Sequence, residues 1–197
     1  MTSTSIVLIC GPSGHGTSAV AKIVNDCGGF FPGTWLTNDT GHPRHLQLKQ
    51  ACEDIAQSAI ADDHVSGGEI DIFTEIIPKI QNIIWTYSRL SNLGQFRFVA
   101  FCEPLLVNIL DELDDISPMK KIFVTSSGKS EMNLGDINKK WCGNADINFD
   151  ILYEMFYSKM HRHATRSASN PLFVNIDNLA INRLSIVSSI YKYCNIS

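Results

Sequence analysis

A strand-like run, Ser5-Ile-Val-Leu-Ile-Cys10, leads straight into Gly11-Pro-Ser-Gly-His-Gly-Thr-Ser18, and that into Ala19-Val-Ala-Lys-Ile-Val-Asn25, whose apolar residues recur at helical spacing. A buried strand that feeds a glycine-rich turn and then a helix constrains the chain to an α/β architecture. It also gathers unpaired backbone N–H groups at the positive end of a helix, which is where phosphate is held in such turns. The segment therefore implies a nucleotide-phosphate binder.

The spacing matches the Walker A pattern G-x-x-x-x-G-K-[ST] at Gly11, Gly16 and Ser18, but Thr17 stands where the lysine belongs. Without that ammonium there is no point charge for a β/γ-phosphate pair, which disfavours ordinary ATP hydrolysis or kinase chemistry. The loop Gly11, Pro12, Ser13, Gly14, His15, Gly16, Thr17 and Ser18, in which every residue but Pro12 carries a backbone N–H and three add hydroxyls, still suits a single 5′-phosphate. A degenerate P-loop nucleotide kinase is an alternative, because Gly-Pro-Ser-Gly-x-Gly also resembles guanylate-kinase-type loops. A bland alternative is a glycine-rich turn in another α/β protein.

Further strand-like runs are expected at 97–101, 121–125 and 172–176, each ahead of a helical segment, at 105–113, 133–140 and 179–193. Between the first helix and the second strand, Gly28 to Gly33 breaks the pattern and 34–44 reads as a polar loop. Helices follow at 45–61 and 70–93, with Pro78 marking a kink or a fresh start. An amphipathic helix is expected over 147–166. Its basic end, Lys159 to Arg166, and the acidic stretch Asp111 to Asp115 read as solvated faces. Strands alternating with helices predict a single P-loop-type α/β domain over residues 1–197, its parallel sheet of about four to five strands flanked by helices on both faces. Gly11, Cys102 and Ser126 fall at carboxyl ends of strands, where ligands bind in such sheets.

At 197 residues the chain suits one core, and 44% hydrophobic with 18% charged residues is a globular composition. A net charge of −4 offers no basic field for duplex nucleic acid. Six scattered cysteines without a C-x-x-C pair fit a reducing compartment, so a cytoplasmic location is expected. Met1 to Ser5 lacks a signal peptide's basic start, and no stretch reaches the about 20 apolar residues that span a bilayer.

Gly11 to Gly29 resembles the 5′-phosphosulfate loop of the sulfotransferase family, G-x-x-[RK]-S-G-T-[ST] followed by a helix ending near glycine. Phe101-Cys-Glu-Pro104 resembles the K-[DE]-P stretch of bacterial members, and Leu172-Phe-Val-Asn-Ile-Asp-Asn-Leu179 their late V-x-Y-E-D-L segment. The resemblance implies 3′-phosphoadenosine 5′-phosphosulfate as co-substrate and sulfuryl transfer to a hydroxyl acceptor. Gly14 stands where the family has a lysine or arginine, and His15 where it has a serine. The family's 3′-phosphate arginine has no counterpart after 121–125, where Ser126, Ser127, Lys129 and Ser130 are the candidate substitutes. A non-catalytic descendant that only binds nucleotide, or serves protein interaction, is a further alternative.

Sulfuryl transfer needs donors around the moving group and a base for the acceptor's proton. His42 and His45 are candidates by position in the loop, and Glu103 by its match to the family's acidic residue. His15 offers either a protonated imidazole or a neutral N–H donor. No metal is expected: His42-x-x-His45 and His161-x-His163 lack neighbouring ligands at the right spacing.

Overall fold

A computed structural model of the chain describes residues 5–12, 15–33, 45–61, 72–91, 96–114, 119–126, 149–167 and 170–195. Strand β1 (Ser5–Cys10) runs through the centre of a five-stranded sheet. Its neighbours are β3 (Phe98–Cys102) on one side and β4 (Met119–Thr125) on the other, with β2 (Gly29–Phe30) and β5 (Leu172–Asn175) at the edges. Every pairing is parallel, with Cys10 opposite Phe123 and Ile9 opposite Cys102. The unbroken apolar run of β1 follows from this place, because a central parallel strand is covered on both faces. Ile6, Leu8 and Cys10 enter one core; Val7 and Ile9 enter the other.

The first core is built with α2 (Leu46–Ala61), α3 (Ile77–Ser91), a 3-10 turn (Pro104–Ile109), α4 (Leu110–Asp114) and α5 (Phe149–Arg166). The opposite core is built with α1 (Thr17–Asp26) and α7 (Arg183–Asn195), the latter following the short α6 (Asp177–Ile181). Burying one such Leu, Ile or Phe side chain contributes about 1.5–3 kcal/mol. The two layers follow from chirality. From β1 the chain moves to the β2 edge through α1 and returns through the other layer to β3, β4 and β5; opposite directions along a sheet require opposite faces if crossovers are right-handed. The connections leaving β1 and β4 therefore diverge, opening a crevice at their carboxyl ends.

The sheet and its two helical layers are those expected from sequence; the differences are local. Gly29–Phe30, expected within a break, pairs with β3 as a short edge strand. A π turn, Ile72–Ile76, leads into α3, so Pro78 marks a fresh start, where its missing N–H costs little. The expected C-terminal helix is divided at Asn182, whose φ of −126° and ψ of 43° are not helical. The helix expected at 133–140 and the loop at 34–44 lie outside the described residues.

The charged faces of α4 and α5 meet along one edge, while Asp111, His161, Arg162 and Arg166 stay exposed to water as expected. Lys121, fully buried in β4, pairs with Asp114. The Ser167 hydroxyl donates to Asp114 Oδ2 at 2.8 Å, and His163 lies 2.6 Å from Asp111 and 3.3 Å from Asp114. Lys159 donates to Asn108 Oδ1 at 2.6 Å. The acidic stretch and the basic helix end thus join two helices of one layer, and Lys121 ties α4 to the sheet. The five described cysteines, Cys10, Cys27, Cys52, Cys102 and Cys194, are all free and buried.

Candidate functional site

The turn after β1 is shaped by close contacts with the strands beside it. Gly11 lies so near β4 that a Cβ on it would sit 2.6 Å from the Val124 carbonyl oxygen. The His15 N–H donates to the Pro12 carbonyl at 3.2 Å and tightens the bend. Gly16 then takes φ 83°, ψ 14°, a left-handed conformation natural to glycine, and its carbonyl accepts from Ala19 and Val20 at 3.0 and 3.2 Å. A Cβ there would fall 2.4 Å from Ile176 Cγ1. The helix thus opens at Gly16, with the leading amides of α1 outside its internal ladder at the carboxyl end of the central strand. Thr17 is buried and Ser18 half-buried. Cys102 Sγ approaches the Thr17 carbonyl at 3.9 Å, tying β3 to the same helix start.

His15 is 2% exposed. Burial lowers its pKa from the ordinary 6.5, and the Asp177 carboxylate only partly opposes that shift. The imidazole is therefore neutral near pH 7, a donor or acceptor rather than a cation.

Across the crevice, Ser126 ends β4. Its amide N–H donates to the Tyr157 hydroxyl at 2.9 Å, and that hydroxyl donates back to the Ser126 carbonyl at 3.1 Å. Its own hydroxyl donates to Asp177 Oδ1 at 2.9 Å. Asp177 is set in place by its N–H, which donates to Asn175 Oδ1 at 2.9 Å, and by the Ile176 N–H, which donates to the Thr125 carbonyl at 2.8 Å.

Glu103 is 3% exposed at the end of β3, where its carboxylate accepts from the Leu105 N–H at 3.5 Å and caps the 3-10 turn. His45 precedes α2 and serves it similarly. Its Nδ1 accepts the Leu48 N–H at 3.2 Å, which leaves Nε2 to carry the proton, 3.2 Å from the Tyr87 hydroxyl. Burial lowers its pKa too. Tyr87 meets Phe101 of β3 edge-on, which connects this cap to the sheet.

The fold thus brings Gly11, Pro12, His15, Gly16, Thr17 and Ser18 together with Ser126 at neighbouring strand ends, and links Glu103 to them through Cys102. Ser13, Gly14, His42, Ser127, Lys129 and Ser130 lie outside the described residues. Sequence reasoning quoted Ile176 and Asp177 only within the late family-like segment, with no site role, and passed over Tyr157. The available signal was Asn175-Ile-Asp177 directly after an apolar run, hence at a strand's carboxyl end. Among the described residues no cluster of three or more His, Cys, Asp or Glu side chains is arranged to hold a metal ion. No described helix is long and apolar enough to cross a membrane.

No protein-family model matches the chain, and no curated protein sequence matches it. Among solved structures, the sulfotransferase domain from the curacin biosynthetic pathway is similar across 100% of this chain and 75% of its own, at 13% identity and a TM-score of 0.60. The sulfotransferase STF1 from Mycobacterium tuberculosis is similar across 100% of this chain and 68% of its own, at 13% identity and a TM-score of 0.45. With its five parallel strands between two helical layers, the chain has a sulfotransferase-type α/β fold.

Proposed function

We propose that the chain binds an adenine nucleotide by its 5′-phosphosulfate group in the cradle Gly11–Ser18 and transfers the sulfuryl group to a hydroxyl acceptor. The family resemblance implies 3′-phosphoadenosine 5′-phosphosulfate as the donor. The observation that carries this reading is the opening of α1 at a left-handed Gly16 on the central strand of a sulfotransferase-type sheet. In the reaction the acceptor oxygen attacks sulfur, the bond from sulfur to the bridging phosphate oxygen breaks, and the nucleotide leaves with that negative charge. The acceptor's proton passes to a base.

Glu103, a buried carboxylate one residue from the Cys102–Thr17 contact, is assigned that role, with His42 as the other candidate. The one lone pair of the His45 ring already accepts a helix amide, so His45 acts by holding α2. The N–H groups of Ser13 and Gly14, the Ser18 hydroxyl and a neutral His15 would surround the phosphosulfate, with Pro12 shaping the turn and Lys129 and Ser130 as further candidate contacts. The buried thiols fit a cytoplasmic location.

One observation favours a second reading, nucleotide binding without transfer: burial keeps His15 neutral, and Gly14 supplies no charge where the family has one.

Calorimetric titration with adenosine 5′-monophosphate, adenosine 3′,5′-bisphosphate, ATP and GMP tests the reading. An adenine nucleotide bearing a single 5′-phosphate is expected to bind more tightly than ATP or GMP. Silence with all four overturns both readings. Transfer of labelled sulfate from a bound donor to hydroxyl acceptors separates the first reading from the second.

A further inference from the structure

Helices α1 and α7 cover one face of the sheet, and the outer side of their layer has a chemistry of its own. α7 packs inward through Ile190 and Cys194, with Ile186 against the same core. Leu184, two residues before Ile186, points the opposite way, because two steps turn a helix by about 200°. It is 86% exposed, and Ile181, the last residue of α6, is 80% exposed. Asn182 between them leaves helical geometry at φ −126°, ψ 43°, so the chain turns a corner there. At these exposures the two side chains project from the surface rather than line a hollow. Single exposed apolar residues are ordinary; two on one corner call for a partner.

The charge around the corner has one sign. The whole chain carries −4, yet no acidic residue lies between Asn178 and Ser197, while Arg183 sits between the two apolar side chains and Lys192 follows along α7. α1 packs beside α7 and adds the exposed Lys22. Among the described residues none of these three cations forms an ion pair. Asp26, at the far end of α1, is the one exposed acid on α1, α6 and α7.

A bilayer with anionic headgroups answers both features. Protruding aliphatic side chains pass between headgroups without a shaped pocket, and arginine and lysine stay at the level of the phosphates while their stems cover the boundary. We propose that the α6–α7 corner docks the protein on an anionic membrane surface, with Ile181 and Leu184 entering the acyl boundary and Arg183, Lys192 and Lys22 facing the headgroups. α6 begins at the carboxyl rim, where Asp177 receives the Ser126 hydroxyl, so docking brings that rim toward the lipid. Membrane docking needs nothing of the nucleotide cradle.

Co-sedimentation of the full chain with phosphatidylcholine vesicles, with and without phosphatidylserine, tests the proposal. The chain is expected to sediment with the phosphatidylserine vesicles, to stay in solution with phosphatidylcholine alone, and to be released by salt, which screens the attraction. Ile181→Ser combined with Leu184→Ser is expected to lower the partition coefficient about tenfold. Arg183→Gln is expected to lower it about fivefold. All three side chains are exposed, so melting temperatures are expected to stay unchanged. Absence of binding to phosphatidylserine vesicles overturns the proposal, as does binding that the folded double variant or Arg183→Gln retains in full. Retention on immobilised polyglutamate by a chain that ignores vesicles assigns the corner to an acidic protein and overturns it equally.

Discussion

Lys121 and His15 are both buried against the same sheet, and the protein treats them in opposite ways. Lys121 is fully buried on the α5 side and keeps a carboxylate, Asp114, whose other oxygen receives Ser167 and faces His163. His15, at the carboxyl rim, is instead driven toward its neutral form by burial, with Asp177 only partly opposing. Charge is thus retained where it joins layers, away from the carboxyl rim, and suppressed at the cradle. The first arrangement serves the fold; the second leaves a neutral imidazole at the carboxyl rim.

The sharpest way to break this contrast is to remove the counter-charge. Asp114→Asn leaves the Lys121 ammonium buried without its carboxylate, and a loss of about 3–5 kcal/mol is expected in urea denaturation. Lys121→Met, which replaces the pair's cation by an apolar chain, is expected to cost far less. Neither is expected to change nucleotide affinity, because this pair ties β4 to α4 and includes no cradle residue. A changed affinity would merge the two regions into one.

Gly16→Val attacks the rim. It forces a β-branched residue to φ 83° and into Ile176, with an expected loss of about 2–3 kcal/mol and no nucleotide binding in calorimetry. Retained binding would place the anion elsewhere.

A smaller effect is expected from pH. Burial lowers the pKa of both His15 and His45 below 6.5, so the unfolded chain binds more protons in that window. Stability present above pH 6.5 is therefore expected to fall as pH drops through the lowered folded-state values. A series of melting temperatures from pH 7.5 to 5.0 measures it, and His15→Asn is expected to flatten the slope.

The smallest change in stability is expected at Glu103. Glu103→Gln weakens the cap on the 3-10 turn by about 1 kcal/mol or less. If Glu103 takes the acceptor's proton, the same variant binds nucleotide normally and transfers sulfate roughly a hundredfold more slowly.

The long strands were legible because a strand buried on both faces must be apolar throughout, as Ile6–Cys10 is. Edge strand β2 was not legible, since two residues, one of them glycine, carry no period. The turn was recognisable by its glycines, yet the reason for two of them was hidden. Gly11 answers to Val124 and Gly16 to Ile176, partners distant in sequence. The Ser126 contacts were hidden for the same reason: Tyr157 and Asp177 lie 31 and 51 residues further along. Nor does a lysine within a strand reveal that it is buried. Local pattern reports which face is apolar, and only the assembled sheet reports which polar groups meet.

The buried cysteines give the molecule a built-in clock. Burial raises the pKa of Cys10, Cys27 and Cys52, and that of Cys194 is pushed up to about 12, so these thiols are chemically silent while the chain is closed. Cys10 and Cys52 watch one layer; Cys27, Cys102 and Cys194 watch the other. Each alkylation event would time the momentary parting of a particular layer, recorded in the mass of the peptide that carries the label.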